Sequence, residues 1–375
     1  MSEWREVTLG ELIDSGECAI YNNLRQPLSA MERNQMKHGK LYPYYGAASA
    51  IDFINKYRFD GYYLLIAEDG TVTFDGIRPM LQLVDGKFWV SNHAHVLQCE
   101  SKWKTTLLYY LLLNIDINPY ITGAVQPKLS KRNLLSILLS IPKSEPEQRA
   151  IASVLSSLDD KIDLLHRENK TLEAMAETLF RQWFIEEAKD EWEDAKLGEV
   201  VTITYGKNLP IKKLLKSGYP VFGGNGQIGF YNKYLYVEPQ VLVSCRGEAS
   251  GKVNISLPRS FITNNSLILV RDKRKEITFE YLKYHSLNYD FTLHISGSAQ
   301  PQITIDNLYD AAFLIPPVDL INKFTEVVRG CEEKRANNLK QIHTLEKLRD
   351  TLLPKLMSGE VRVKYEEEEM ASCRA

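Results

Sequence analysis

No apolar run in the sequence is long enough to cross a bilayer: the longest, Leu107 to Leu113, ends at Asn114, far short of the ~18 residues a spanning helix needs. The opening residues, Met1-Ser2-Glu3-Trp4-Arg5, lack the basic and apolar regions of a signal peptide. Cysteine is scarce: Cys18, Cys99, Cys245, Cys331 and Cys373 are five in number and widely scattered, a pattern that fits neither a disulfide framework nor a zinc site. These absences predict a cytoplasmic, reduced protein with no membrane partner. An excess of one charge is missing too, since 46 Lys and Arg meet 48 Asp and Glu for a net −2. Setting aside the acidic tail Glu366 to Glu369 leaves +2. Such a surface supplies little of the nonspecific phosphate attraction that usually dominates nucleic-acid affinity, so any DNA would be met by local patches or with basic partners.

Signs of catalysis are also wanting. Gly224-x-Gly226-x-x-Gly229 has the spacing of a dinucleotide fingerprint, but Phe230 to Tyr236 reads as strand where a helix is required, so the glycines predict a turn. Ile117-Asn118-Pro119-Tyr120 lacks a proline of the adenine-methyltransferase motif and has no cofactor glycine loop before it; it reads as a loop. His93 and His95 could share a strand face, but no third ligand is evident, so no metal is expected. There is no Gly-Lys-Ser/Thr phosphate loop, Gly-x-Ser-x-Gly elbow or nuclease constellation. No cofactor and no catalytic residue are expected.

What is present is a repeat. Trp4 and Leu9-Gly10-Glu11 return as Trp192 and Leu197-Gly198-Glu199, and Phe53-x-Asn55-Lys56-Tyr57 returns as Phe230-x-Asn232-Lys233-Tyr234. Ser91-Asn92 is echoed by Thr263-Asn264. Gly123-x-x-Gln126-Pro127 matches Gly297-x-x-Gln300-Pro301, each followed by Asn-Leu and an Ile-Pro pair. At 375 residues, 44% hydrophobic and 25% charged, the chain suits two soluble domains of one kind. A protein built as a pair usually meets something that comes in two parts.

Each copy reads as short strands and turns followed by a long helix, an α+β organisation. Ser144-x-x-Glu147 is a capping-box pattern, and the steps of four and three through Ile151, Leu155, Leu158, Ile162, Leu165, Asn169, Leu172, Ala176, Leu179 and Trp183 form a coiled-coil seam with one polar break at Asn169. The second helix spans about 317 to 357 and closes at Ser358-Gly359. Its seam is expected at Leu320, Phe324, Val327, Cys331, Leu345, Leu348 and Leu352, interrupted by Lys334, Asn338 and Gln341. The first helix leaves unit one and reaches unit two, so a second helix packed along it must run back: the pair is expected to be antiparallel, relating the repeats by an approximate twofold. The expected boundaries are 1–143, 144–190, 191–316, 317–358 and an acidic tail 359–375.

In this order of parts the chain resembles the specificity subunit of type I restriction-modification systems. The likeness is carried by the duplicated Trp-x-x-x-x-Leu-Gly-Glu, by Tyr219-Pro220-Val221-Phe222-Gly223-Gly224-Asn225-Gly226 with the diverged Tyr42-Pro43-Tyr44-Tyr45-Gly46, and by Gly-x-x-Gln-Pro near each unit's end. Ile141-Pro142 through Ala152 and Leu352 to Gly359 are similar to that family's helix entry and close. The resemblance implies two target-recognition domains, each reading one half of a split double-stranded DNA sequence, with the helices acting as a ruler. It also implies docking of two methyltransferase subunits, a separate motor and nuclease subunit, and no catalytic site in this chain.

Polar residues on turns are the candidates for contact with bases and phosphates. They are Arg25, Lys37, His38, Lys40, Lys56, Arg58, Asn92, His93, Lys128 and Arg132 in the first unit, and Lys207, Asn208, Lys212, Lys213, Asn225, Gln227, Arg246, Asn264 and Asn265 in the second. Gln126-Pro127 and Gln300-Pro301 could instead be a structural turn common to both. Helix pairing is expected through Leu155, Leu158, Ile162, Leu165, Asn169, Leu172, Leu179, Leu345, Leu348 and Leu352. Two other readings stand beside this one: an adenine DNA methyltransferase with fused recognition domains, which should bind S-adenosylmethionine alone, and a tandem scaffold that binds protein rather than DNA.

Overall fold

The computed structural model describes residues 4–123, 125–297 and 301–363; Gln300, Cys373 and the run Glu366 to Glu369 of the acidic tail lie outside them. The chain divides into two units, one of the residues up to Leu165 together with those from Lys340 onward, the other His166–Leu339. Each unit therefore holds part of both long helices, Glu145–Arg181 and Val318–Met357. Among the described residues no helix is long and apolar enough to cross a membrane.

In the first unit a six-stranded sheet runs in the order Cys18–Ile20, Ala94–Cys99, Phe59–Ala67, Leu81–Val90, Tyr42–Tyr45, Ala50–Ile54. The second unit repeats that order in two pieces: Thr202–Tyr205, Ser266–Val270, Val241–Ser244, Val253–Ile255, then Phe261–Ile262, Tyr219–Gly223, Gly226–Tyr231. The single strand Leu81–Val90 corresponds to Val253–Ile255 plus Phe261–Ile262. Between those pieces lie Pro258, which has no N–H to give a ladder, and Arg259, with φ +52. In both units the parallel pairing falls at the matching place, Tyr44 on Trp89 and Val221 on Phe261. Trp4–Thr8 pairs with Leu138–Pro142, and Glu193–Lys196 with Ala312–Ile315, so the start of each repeat is stitched to the strand that precedes its long helix.

The duplicated motifs are accounted for by this architecture. The Glu11 carboxylate accepts from Thr8 N–H at 2.7 Å and Glu199 from Lys196 N–H at 3.0 Å, capping a short helix in each copy. The neighbouring glycine lets that helix approach the next one: a Cβ on Gly10 would lie 3.1 Å from the Leu135 carbonyl oxygen, and one on Gly198 would fall within the Tyr309 ring. Tyr57 and Tyr234 pack edge-on against Tyr42 and Tyr219, at 5.1 and 4.9 Å. Gly123 and Gly297 adopt φ of +92 and +86, which glycine tolerates and other residues resist. The Gly224-Asn225 segment is a hairpin turn leading into strand Gly226–Tyr231.

Within each unit the two long helices run antiparallel. In the first, Ile162 and Leu165 meet Ile342 and Leu345, while Ile151 and Leu155 share a core with Leu353, Leu356 and Met357. In the second, Phe180 and Phe184 meet Phe324, and Asn169 meets Asn338. The seam of the second helix differs from the expected one. It passes through Ile321, Phe324, Val328, Arg335, Asn338, Ile342, Arg349 and Leu356, whereas Val327 and Leu348 are exposed, as are Lys334 and Gln341. Polar residues in the seam explain the error: Arg335 pairs with Glu173 at 3.2 Å, Arg349 with Asp159 at 2.7 Å, and the wholly buried Asn338 donates to both Glu168 and Asn169 at 2.9 Å. On the first helix Leu158, Leu172 and Leu179 are half-buried, and a π turn at Gln182–Glu186 shifts the register so that Phe184 is buried and Trp183 only partly.

A tyrosine ties each sheet-bearing part to the helix that follows it. The Tyr110 hydroxyl donates to Asp159 at 2.5 Å and the Tyr284 hydroxyl to Glu332 at 3.2 Å, with Lys283 on the same Glu332 oxygen at 2.6 Å. Burial pushes both phenols up, beyond ordinary deprotonation. Burial alone would raise Glu332, but Lys283, Arg335 and Tyr284 outweigh it and hold the carboxyl below its usual range.

The cysteine expectation is corrected. Cys18 and Cys99 are joined by a disulfide, because the register of strands Cys18–Ile20 and Ala94–Cys99 sets them directly opposite. Cys245 is free and buried, Cys331 free and half-buried.

His285 is half-buried against the second unit's aromatic side chains, its ring 4.1 Å from Phe313, and the removal of its imidazole from water pushes it down to about 4. The unfolded chain takes up this proton from about pH 6.5 downward, and the folded chain does so only near 4. Stability is therefore full above about 6.5 and is lost as pH falls toward 4, by roughly 2 kcal/mol between pH 7 and 5. Urea denaturation across that range should show this slope, and His285→Phe should flatten it.

Candidate nucleic-acid interface

The candidates of the first unit separate into two groups. One surrounds Glu68 and Asp69, at the end of the strand Phe59–Ala67. Arg25 donates to Glu68 at 2.6 Å and to the carbonyl oxygens of Asn92 and Ala94 at 3.2 and 2.8 Å. Lys128 reaches Glu68 at 3.3 Å, and His93 Nδ1 meets Asp69 at 2.6 Å. Beneath them His95, wholly buried, donates from Nε2 to the Leu129 carbonyl at 2.8 Å and accepts from the Asn22 amide on Nδ1 at 2.8 Å. Burial pushes its pKa down, so it is a neutral core residue. Burial would raise Glu68, but Arg25, His95 and Lys128 outweigh it and lower the carboxyl.

The second group lies along the hairpin Tyr42–Tyr45 and Ala50–Ile54. Lys37 and Arg33 both pair with Asp52 at 2.9 Å, and this, with Lys37 first, holds Asp52 at about 2. His38 meets the Asn55 amide at 2.7 Å and Lys40 lies over the Tyr42 ring. Lys56 is exposed beside them. Arg58 stacks on Trp89 at 5.1 Å and bonds Gln26. Arg132 stands apart, exposed on the short helix Lys131–Leu135.

In the second unit Arg246, Asn264 and Asn265 come together beside Gln302, at the end of the strand Val241–Ser244. Asn225 accepts from Lys252 at 2.6 Å, and exposed Gln227 is on the same hairpin. Lys207 pairs by its backbone with the Ile262 carbonyl at 2.9 Å, with Asn208 next to it. Lys212 and Lys213 sit on the exposed turn Ile211–Lys213. Sequence reasoning passed over Glu68, Asp69, Lys252 and Gln302. Gln302 had a usable signal, since it directly follows the repeated Gln300-Pro301. Among the described residues no group of His, Cys, Asp and Glu is placed to hold a metal ion.

The arrangement offers polar and cationic side chains on loop ends in both units. It can present hydrogen-bond donors and acceptors to an extended polar partner. Not every basic side chain is available for that. Arg25 and Glu68 each keep only 14% of their side-chain surface exposed, so Glu68→Gln leaves a cation buried without its counter-charge. Stability should fall by about 3 kcal/mol in urea denaturation followed by fluorescence, and Arg25→Ala should behave alike. A loss of DNA binding by Arg25→Ala at unchanged stability would make Arg25 a contact residue instead.

Comparison with known proteins matches this duplication. A model of the type I restriction modification DNA specificity domain matches residues 1–174 and again 189–326. The chain is 30% identical over 300 residues to the type I restriction enzyme MjaIX specificity subunit of Methanocaldococcus jannaschii, covering 68% of this chain and 69% of that one. In fold it is similar to the crystal structure of a type I restriction-modification system S subunit from M. genitalium, with a TM-score of 0.63 at 18% identity, covering 95% of this chain and 96% of that one.

Proposed function

The chain belongs to the family of type I restriction-modification DNA specificity subunits, and from that premise we propose that each of its two sheet-bearing parts reads one half of a bipartite DNA target. The observation that carries this is the double occurrence of the family domain, at 1–174 and 189–326, on two copies of one strand order. The chain is a recognition subunit rather than an enzyme; it binds DNA and assembles with other subunits of its system. The finer reading is that two methyltransferase copies dock on the long helices and that a motor and nuclease subunit joins for cleavage. The proposed boundaries of the parts are 1–143 and 191–316, with the spans 144–190 and 317–358 as spacers, acting in the cytoplasm. Contacts to DNA are assigned to the exposed candidates, foremost His93, Lys128, Arg246 and Asn265, and not to Arg25, whose charge is committed to Glu68.

Exchange of residues 191–316 for the matching part of a relative should change one half-site and leave the other intact, read by methylome mapping in cells carrying the system. A simultaneous change of both half-sites would refute the modular reading.

The helices should set the gap between the half-sites. Four residues inserted after Asn169 add about one turn, ~6 Å, comparable to one or two base-pair steps of ~3.4 Å, and nearly preserve the helix face. The mapped gap should lengthen by one or two base pairs while both half-sites keep their identity. An active insertion variant with the original gap would show that the helices are not the ruler.

A further inference from the structure

Three loop positions are matched between the two sheet-bearing parts by identical backbone pairing, yet their side chains differ completely. Asp69 bridges Lys128 in the first, and Arg246 bridges Gln302 in the second, both antiparallel. One residue earlier, Glu68 accepts from Leu129 N–H at 2.7 Å and Cys245 from Ile303 N–H at 3.1 Å. On the other side, Glu68 N–H donates to the His93 carbonyl at 2.8 Å and Cys245 N–H to that of Asn265 at 3.0 Å. The backbone thus superimposes Asp69 on Arg246, His93 on Asn265 and Lys128 on Gln302, at one rim where three chain segments end side by side.

We propose that these two trios, Asp69, His93 and Lys128 in one part and Arg246, Asn265 and Gln302 in the other, read base edges and give the two half-sites their different sequences. The proposal rests on the bipartite DNA reading above and names the residues that carry it. Repeated positions that serve the fold have stayed alike, as Gly10 with Gly198 and Tyr57 with Tyr234 show. At this rim the backbone has stayed alike and the chemistry has not, which is what two readers of unequal sequences require.

The two trios also present different readout. In the second part all three side chains are exposed, and among the described residues none makes a hydrogen bond or ion pair with protein. Their donors and acceptors are open: arginine suits guanine O6 and N7, while asparagine and glutamine suit adenine N6 and N7. In the first part His93 is held by Asp69 at 2.6 Å and Lys128 by Glu68 at 3.3 Å. That trio offers a fixed imidazole, a lysine, and an aspartate able to accept from cytosine N4. The half-site read by residues 191–316 is therefore assigned a guanine opposite Arg246 with adenine beside it, and the other half a cytosine opposite Asp69.

The test uses the full chain assembled with its methyltransferase subunits, selecting bound duplexes from a library randomised in both half-sites. Wild type is compared with Arg246→Gln, Asp69→Asn and, as a surface control outside the candidate contacts, Lys275→Ala. Arg246→Gln should cut the preference for one guanine by about tenfold to a hundredfold in the half-site assigned to residues 191–316, leaving the other half unchanged. Asp69→Asn, which can keep its bond to His93, should relax one cytosine in the opposite half. A second arm needs no loss of function: Gln302→Glu replaces the amide's donor with an acceptor and should move the preferred base at a single position. Unchanged preferences in Arg246→Gln, Asp69→Asn and Gln302→Glu, or losses spread equally over both halves, overturn the assignment while the bipartite reading survives. A wild-type complex that selects no bipartite sequence overturns both.

Discussion

Everything the two sheets present depends on how each is held to a helix, and the decisive contact is a buried phenol on a helix carboxylate. Tyr110 and Tyr284 occupy matching places in the two copies, and so do Asp159 and Glu332. A tyrosine hydroxyl removed from water must find a partner or lose the hydrogen bond it had in solvent. In each copy a carboxylate on the long helix satisfies it, and that carboxylate is in turn held by Arg349 in one case and by Lys283 and Arg335 in the other. Apolar packing would tolerate a slide along the helix at small cost. A directional bond to a charged group does not, so the sheet is fixed in rotation as well as in distance.

The same logic governs the helix pair. A purely leucine seam is strong but admits neighbouring registers, whereas Asn338, wholly buried, finds its partners Glu168 and Asn169 in one register alone. A buried polar residue at such a position lowers stability and raises specificity. For an element meant to keep a length, the second property matters more than the first. The charged pairs Arg335 with Glu173 and Arg349 with Asp159 add further marks along the seam.

These polar marks also define what sequence could and could not convey. The duplication, the helix spans and the cap of Leu-Gly-Glu were legible because each rests on local rules: periodicity, a capping box, a glycine where two helices approach. On the second helix hydrophobic periodicity points to Val327 and Leu348, which are exposed, whereas the structure buries Val328, Arg335, Asn338 and Arg349 in whole or part and keeps Phe324 and Leu345 in contact with the first helix. Nor does a sequence say which charges are already neutralised. Lys37 and Arg25 looked like free cations on turns, and Asp52 and Glu68 hold them. Cys18 and Cys99 are 81 residues apart and meet only through strand register, which no spacing rule reveals.

The division between backbone and side chain is the final step. In both parts the sheet order, the ribbon that closes each repeat and the three chain ends at the rim are specified by hydrogen bonds between main-chain groups. Those bonds are indifferent to the side chains at Asp69 and Arg246, the first half-buried on His93 and the second exposed, and neither part of a hydrophobic core. A substitution at exposed Arg246 costs the fold little and one at Asp69 gives up a single bond to His93, while between the copies a carboxylate acceptor is exchanged for a guanidinium donor. The contrast with Glu68 one residue earlier is direct, since its carboxylate is bound to Arg25 and cannot change alone. Recognition can therefore vary at positions one residue away from those that stability protects, and two copies of one scaffold can come to present unlike surfaces without either becoming a different fold.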